Sequence, residues 1–198
     1  MKKLLPTLLA AGALALSLAA CDKLPGKQAS FQNTDVTGLD YAKGFSLTDH
    51  TGKPRTLADY KGKVAIVFFG YTQCPDVCPT TMAEMAGVMQ KLGPQADQVQ
   101  VLFITLDPER DTRELLASYV PAFDKRFVGL YGTPEQTAKT AKEFKVFYSK
   151  VPGKDPGSYT IDHMAGSYVF DKEGRLRLFI RHGGNADAIV HDVRQLLG

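Results

Sequence analysis

The chain has no tryptophan, three cysteines and four histidines. A four-cysteine zinc site is excluded by count, and thiol or soft-metal chemistry falls on very few side chains. No basic run or arginine cluster occurs. Lys and Arg number 24 against 21 Asp and Glu, a net charge of +3. Residues 1–20 hold two lysines and no acid; without them 22 basic side chains face 21 acidic ones. That balance gives no reason to expect a nucleic-acid partner. No internal repeat is visible, and beyond residue 20 no apolar run is long enough to cross a bilayer.

What is present begins with an export signal. Lys2 and Lys3 precede an almost wholly apolar stretch from Leu4 to Ala20, which ends in Leu18-Ala19-Ala20-Cys21. This is the arrangement of a secretory signal, and it resembles the lipobox of bacterial lipoproteins. The resemblance implies cleavage before Cys21 and lipidation of its sulfur. Asp22 then stands where an aspartate favours retention at the inner membrane under the familiar sorting rule. Residues 21–40, poor in large apolar side chains, read as a lipidated N-terminus and flexible tether. Residues 41–198 suit one globular domain.

Along that domain, Gly44 to Arg55 reads as a hairpin around Asp49-His50-Thr51-Gly52. Val64 to Phe69 and Val99 to Leu106 are continuous apolar runs, as in buried central strands. Between them, Met82, Met85, Val88, Met89 and Leu92 recur at helical spacing, and Gly93-Pro94 ends that helix. Asp111-Thr112-Arg113-Glu114 reads as a capping box. Thr133-Pro134 opens a further helix. Tyr168 to Phe170 and Leu176 to Ile180 flank a turn, and Asn185 caps a last helix with Ile189, Val193, Leu196 and Leu197 on its apolar stripe. Lys150 to Asp162, with Pro152, Gly153, Pro156 and Gly157, reads as an inserted loop before the histidine-bearing segment. Strands alternating with helices predict an α/β fold, a central mixed sheet with helices on both faces.

The first buried strand runs into Gly70-Tyr71-Thr72-Gln73-Cys74-Pro75-Asp76-Val77-Cys78-Pro79. With Cys21 committed to lipid, Cys74 and Cys78 form the one remaining pair. Pro79 suits the first position of a helix, which puts Cys78 at the N-cap and Cys74 in the loop before it. A helix start favours thiolate. Two thiolates suit Cu(I), and an added imidazole suits Cu(II). Placed on the predicted sheet, the pair makes the pattern similar to the thioredoxin fold, although thioredoxins space their cysteines by two residues. Thioredoxins also carry a cis-proline facing the thiols, and no proline follows Pro156. His163, in Tyr159-Thr160-Ile161-Asp162-His163-Met164, falls there instead. His50 is expected in a solvent-facing turn, and His182 and His191 on the surface. Met82, Met85 and Met89 read as core packing, and Met164 as a weak candidate ligand.

Cys74-Pro75-Asp76-Val77-Cys78-Pro79, then Asp107-Pro108-Glu109-Arg110-Asp111-Thr112, then Asp162-His163, resemble the Sco/SenC family over roughly residues 41–198. The resemblance implies a thioredoxin-like fold and one copper ion held by Cys74, Cys78 and His163, with Asp162 orienting the site. It also implies a part in assembling the binuclear copper centre of cytochrome c oxidase, with the oxidase copper-site subunit as partner. Periplasmic copper carriers or thiol reductants would be further partners. Gln73 replaces the histidine that many members have before the first cysteine. A membrane-anchored copper chaperone on the periplasmic side of the inner membrane is the leading expectation. The alternative is a thiol–disulfide reductase using Cys74 and Cys78 as a redox pair. A peroxidase is disfavoured, because neither cysteine has upstream of it the proline that peroxiredoxins place before their attacking cysteine. A structural lipoprotein with an inert disulfide is the remaining reading.

Overall fold

The computed structural model describes residues 30–198. The expected signal segment, Cys21 and Asp22 lie outside the described residues. Ten strands and four helices follow in chain order. They are β1 (Thr34–Asp35), β2 (Ser46–Asp49), β3 (Pro54–Thr56), β4 (Val64–Gly70), α1 (Val77–Leu92), β5 (Val99–Thr105) and α2 (Arg113–Tyr119), then β6 (Val128–Tyr131), α3 (Pro134–Glu143), β7 (Tyr148–Pro152), β8 (Tyr159–His163), β9 (Gly166–Phe170), β10 (Leu176–Arg181) and α4 (Ala186–Leu197). Among the described residues no helix is long and apolar enough to cross a membrane.

Eight strands form one sheet in the order β1-β10-β9-β4-β5-β6-β2-β3, and β7 pairs with β8 as a separate hairpin. β4, β5 and β6 are parallel, and the other pairings are antiparallel. β4 and β5 are buried at every position, which is why they read as unbroken apolar runs rather than alternating ones. On one face, Cys78, Met82, Met85, Val88 and Met89 of α1 pack with Ile189, Val193 and Leu197 of α4 and Leu116 of α2. On the other, Ala141 and Phe144 at the end of α3 pack against Phe69, Tyr168 and Phe170. Helices therefore cover both faces of a mixed sheet, as expected, and the fold is thioredoxin-like.

Several local features match their sequence signals. Thr133 caps α3 in a box with Gln136, with Pro134 at the first helical position. Asn185 caps α4. Gly93 ends α1 with φ +57°, a conformation that glycine adopts without strain.

Others differ. α1 begins at Val77 with Asp76 at the N-cap position, so Cys78 is the second helical residue and not the cap. Pro79 is the third, where its missing amide still costs no helical hydrogen bond. Thr112, not Asp111, caps α2 and accepts from the Leu115 amide. The segment expected to be a loop from Lys150 is mostly the β7–β8 hairpin, and His163 is its last strand residue. Residues 30–40, expected in the tether, also differ. Residues 30–40 belong to the folded unit: β1 pairs with β10, and the buried carboxylate of Asp192 accepts the amides of Gln32 and Asn33. Backbone hydrogen bonds and one buried acid fix this stretch, so its low apolar content was no guide.

Candidate metal centre

β4 and β5 run parallel with Gly70 opposite Thr105, so the loops after both strands leave from one edge of the sheet. This is where open α/β sheets place ligands. The loop after β4 carries Cys74 and leads into α1. β9 lies antiparallel to β4, with Ser167 opposite Phe68. The residues just before β9 therefore emerge at the same edge, and they include His163. The topology joins segments 85 residues apart in sequence.

Cys74, Cys78 and His163 meet there, with their ligand atoms all within 4.8 Å of one another. They are the one such His, Cys, Asp or Glu group found among the described residues. Both cysteines are free thiols, Cys78 buried and Cys74 partly exposed. The Cys78 amide lies 3.3 Å from the Cys74 sulfur as donor. Nε2 of His163 lies 3.5 Å from the Cys78 sulfur. Nδ1 lies 3.1 Å from the Met164 carbonyl oxygen, which can only accept. Nδ1 therefore carries the proton, and the Nε2 lone pair faces the sulfurs. The ring also packs edge-on against Phe68 and Tyr71, at 6.3 and 6.2 Å between centroids.

Burial sets the protonation of the pair. It pushes the Cys78 thiol far up, aided by its hydrogen bond with Cys74. The helix start does not overcome this, so the expected thiolate is not the resting form of Cys78. Burial also lowers the His163 pKa, with the Met164 carbonyl and Asp162 opposing, which keeps the imidazole neutral at neutral pH. A neutral imidazole is a metal ligand as it stands, whereas the thiol must first lose its proton.

The donor set fits a soft transition metal. An ion with bonds of about 2.0–2.3 Å to nitrogen and sulfur needs its donors within about 4 Å of one another, and small side-chain rotations close the remaining gap. Two sulfurs with one imidazole match copper in either common oxidation state. A cavity of about 300 Å³, lined in part by Cys74, Pro75, Asp76, Ile161 and His163, opens beside the cluster.

The other expected site residues fall elsewhere. Asp162 is exposed, and its carboxylate makes no hydrogen bond to His163 among the described residues; the Met164 carbonyl holds the ring instead. β8 alternates, so Asp162 points away where Ile161 and His163 point in. The Met164 side chain packs on the opposite side of the sheet, beside Tyr41, Tyr168 and Phe179. Met82, Met85 and Met89 are core residues, as expected. His50 is not free in solvent, since its Nδ1 accepts the Gly129 amide. His182 is exposed, with Nδ1 2.9 Å from the Thr81 hydroxyl. His191 lies within α4 beside Asp192.

The sequence reading missed three supports. Tyr71 accepts the Ile161 amide through its hydroxyl. Asp111 accepts from the Thr72 amide and hydroxyl and from the Thr105 hydroxyl. Arg110 and Asp107 hold Tyr159. The motifs containing these residues were visible, but apart from Thr105 their partners are 39 to 90 residues away.

A thioredoxin-like domain with two thiols and an imidazole at one sheet edge defines a class of copper-binding proteins. The SCO1/SenC family profile matches residues 34–198, and the chain belongs to that family. The mitochondrial SCO2 homolog of Mus musculus is 37% identical over 153 residues, covering 76% of this chain and 60% of that protein. The chain thus spans about three fifths of that relative's length. A copper-bound ScoI from Bradyrhizobium japonicum is 41% identical, with a TM-score of 0.72 over 78% of this chain and 98% of that one. The apo Sco1 of Thermus thermophilus is 39% identical, with a TM-score of 0.76 over 87% of this chain and 100% of that one. Family membership, the copper-bound relative and the cysteine–histidine cluster together establish copper as the metal this chain binds.

Proposed function

We propose that this chain is a copper metallochaperone that delivers copper to the binuclear copper centre of cytochrome c oxidase. A lipidated Cys21 would hold it at the periplasmic side of a bacterial inner membrane. The observation that carries the reading is the convergence of Cys74 Sγ, Cys78 Sγ and His163 Nε2 within 4.8 Å. These are the ligands. The ion is cargo, received and passed on. The buried, protonated Cys78 thiol means that loading releases protons and unloading takes them back. The part-exposed Cys74 and the adjoining cavity give a partner's ligands a way in. The oxidase copper-site subunit as recipient comes from the family resemblance, and the lipid anchor from residues 1–21. Periplasmic copper carriers or thiol reductants would be further partners.

A thiol–disulfide reductase acting on the oxidase copper-site cysteines is the second reading. It is favoured by one observation: both cysteines are free thiols, and Cys74 is open to a partner's disulfide while Cys78 is buried behind it.

The test titrates residues 22–198, with Cys21→Ser, against Cu(I) and Cu(II) beside His163→Ala. One equivalent of Cu(II), with a thiolate-to-copper absorption band lost in the variant, supports the chaperone. Failure to take up either ion tightly, with fast disulfide exchange, leaves the reductase.

A further inference from the structure

Asp107-Pro108-Glu109-Arg110-Asp111 joins β5 to α2 and contributes no ligand to the copper centre. We propose that this segment is a bracket that sets His163 against the two cysteines, with Arg110 as the positioning residue. The inference rests on the copper reading of the centre.

One end of the bracket grips the cysteine loop. Asp111 is buried and accepts the Thr72 amide at 3.0 Å and the Thr72 hydroxyl at 2.6 Å. It also accepts the Thr105 hydroxyl at 2.6 Å, which ties the loop to the end of β5. Thr72 is two residues before Cys74.

The other end grips the hairpin that carries His163. Arg110 Nη1 donates to the Tyr159 carbonyl at 2.9 Å, and the guanidinium carbon stands 3.5 Å from the centroid of the Tyr159 ring. Arg110 Nε donates to one oxygen of the buried Asp107 carboxylate at 2.5 Å, and the Tyr159 hydroxyl donates to the other at 2.8 Å. Tyr159 is therefore held at its backbone, its ring face and its hydroxyl. Lys150 of β7 adds an exposed pair with Glu109, which contributes little by itself.

Strand geometry carries this hold to the ligand. Tyr159, Ile161 and His163 alternate onto one face of β8. The first meets Arg110, the amide of the second meets Tyr71, and the third meets Cys78. The hairpin is not hydrogen-bonded into the main sheet. Its aim depends on these side-chain contacts, and Arg110 anchors the end of β8 far from the sulfurs. A planar guanidinium suits this task because it stacks on a ring and bonds two acceptors in one fixed plane.

The test uses the full chain in detergent with Arg110→Gln, and with Tyr159→Phe as a milder variant that keeps the ring. Amide hydrogen exchange is read on the metal-free protein, and Cu(II) affinity is read with and without His163→Ala. In Arg110→Gln, exchange at residues 159–163 rises about tenfold while β4 and β5 are unchanged. Cu(II) affinity falls about tenfold, the usual effect of removing a group that orients a ligand. Added to His163→Ala, the same substitution causes no further loss. Tyr159→Phe acts in the same direction and less, and it serves as the test if Arg110→Gln does not fold. Unchanged hairpin exchange overturns the proposal, as does an affinity loss of equal size with and without His163. Exchange that rises equally in β4 and β5 also overturns it, because Arg110 would then act on overall stability alone. If exchange rises at the hairpin but the parent chain takes no Cu(II), the copper reading fails while the hold on the hairpin stands.

Discussion

Gly70 ends β4 at the point where the strand becomes the cysteine loop. A Cβ built there stands 2.9 Å from the Cys78 sulfur, 2.9 Å from Cε1 of Phe68 and 3.0 Å from Cε2 of Phe103. Ordinary carbon contacts lie near about 3.5–4.0 Å, so all three neighbours must retreat by about 0.5–1 Å. None can swing a free end into solvent, because Cys78, Phe68 and Phe103 are each 0% exposed. The strain is steric, since Gly70 has no positive φ. Forcing a methyl group into such packing costs about 1–3 kcal/mol. Gly70→Ala is therefore expected to lower the unfolding free energy of the reduced, metal-free domain by that amount in urea denaturation. It also moves the Cys78 sulfur, and Cu(I) affinity measured against a competing chelator should fall about tenfold, equivalent to about 1.4 kcal/mol. A change in stability below about 0.5 kcal/mol together with unchanged copper affinity would refute this placement of the sulfur against Gly70.

Asp111→Ala leaves the Thr72 amide and two hydroxyls without their acceptor, and stability in urea should fall by about 2–3 kcal/mol; Asp111→Asn, which keeps one acceptor, should cost less, and equal losses would argue against the carboxylate's role. Burial opposes the charge on Asp192, but donors from His191, Gln32 and Asn33 outweigh it and hold its carboxyl below the ordinary range. A lowered carboxylate contributes stability that is present above about pH 4 and is lost as pH falls through its lowered value. Asp192→Asn should flatten the acid loss of stability between about pH 5 and 2, and an unchanged slope in urea midpoints would count against that pairing. With the metal-free protein at neutral pH, iodoacetamide should modify Cys74 well before Cys78, because Cys78 is buried and its thiol is pushed up; mass spectrometry showing the reverse order would remove the assigned asymmetry.

What the sequence disclosed follows the range of the forces involved. β4 and β5 were legible because burial on both faces leaves an uninterrupted apolar run. α1 was legible from its methionine spacing, and α3 and α4 from side-chain caps within three residues of their partners. His163 was placed correctly because the missing proline and the strand order together pointed to one sheet edge. Long-range polar contacts were not legible. Asp111 carries the same local pattern as a capping residue, yet its hydroxyl and amide partners on Thr72 lie 39 residues away. Residues 30–40 look like a tether by composition and are fixed by Asp192, about 160 residues on.

The protonation of Cys78 shows how such long-range terms reverse a local expectation. A cysteine at a helix start should ionise readily, by about half a unit charge of helix dipole and free amides. Two extra helical residues before Pro79 instead place Cys78 inside the helix and in the core between α1 and the sheet, where desolvation outweighs the dipole. The nearby imidazole does not supply a compensating charge, because burial keeps His163 neutral as well. Among the described residues of the cluster, no positive charge then offsets the burial of the Cys78 thiol, and an incoming cation would supply one. A metal ion that binds Cys78 must then displace its thiol proton. Soft ions do this best. The fold thus gives a soft-metal donor set, with one thiol that loses its proton on binding, to a site whose local sequence reads as a reactive thiol pair.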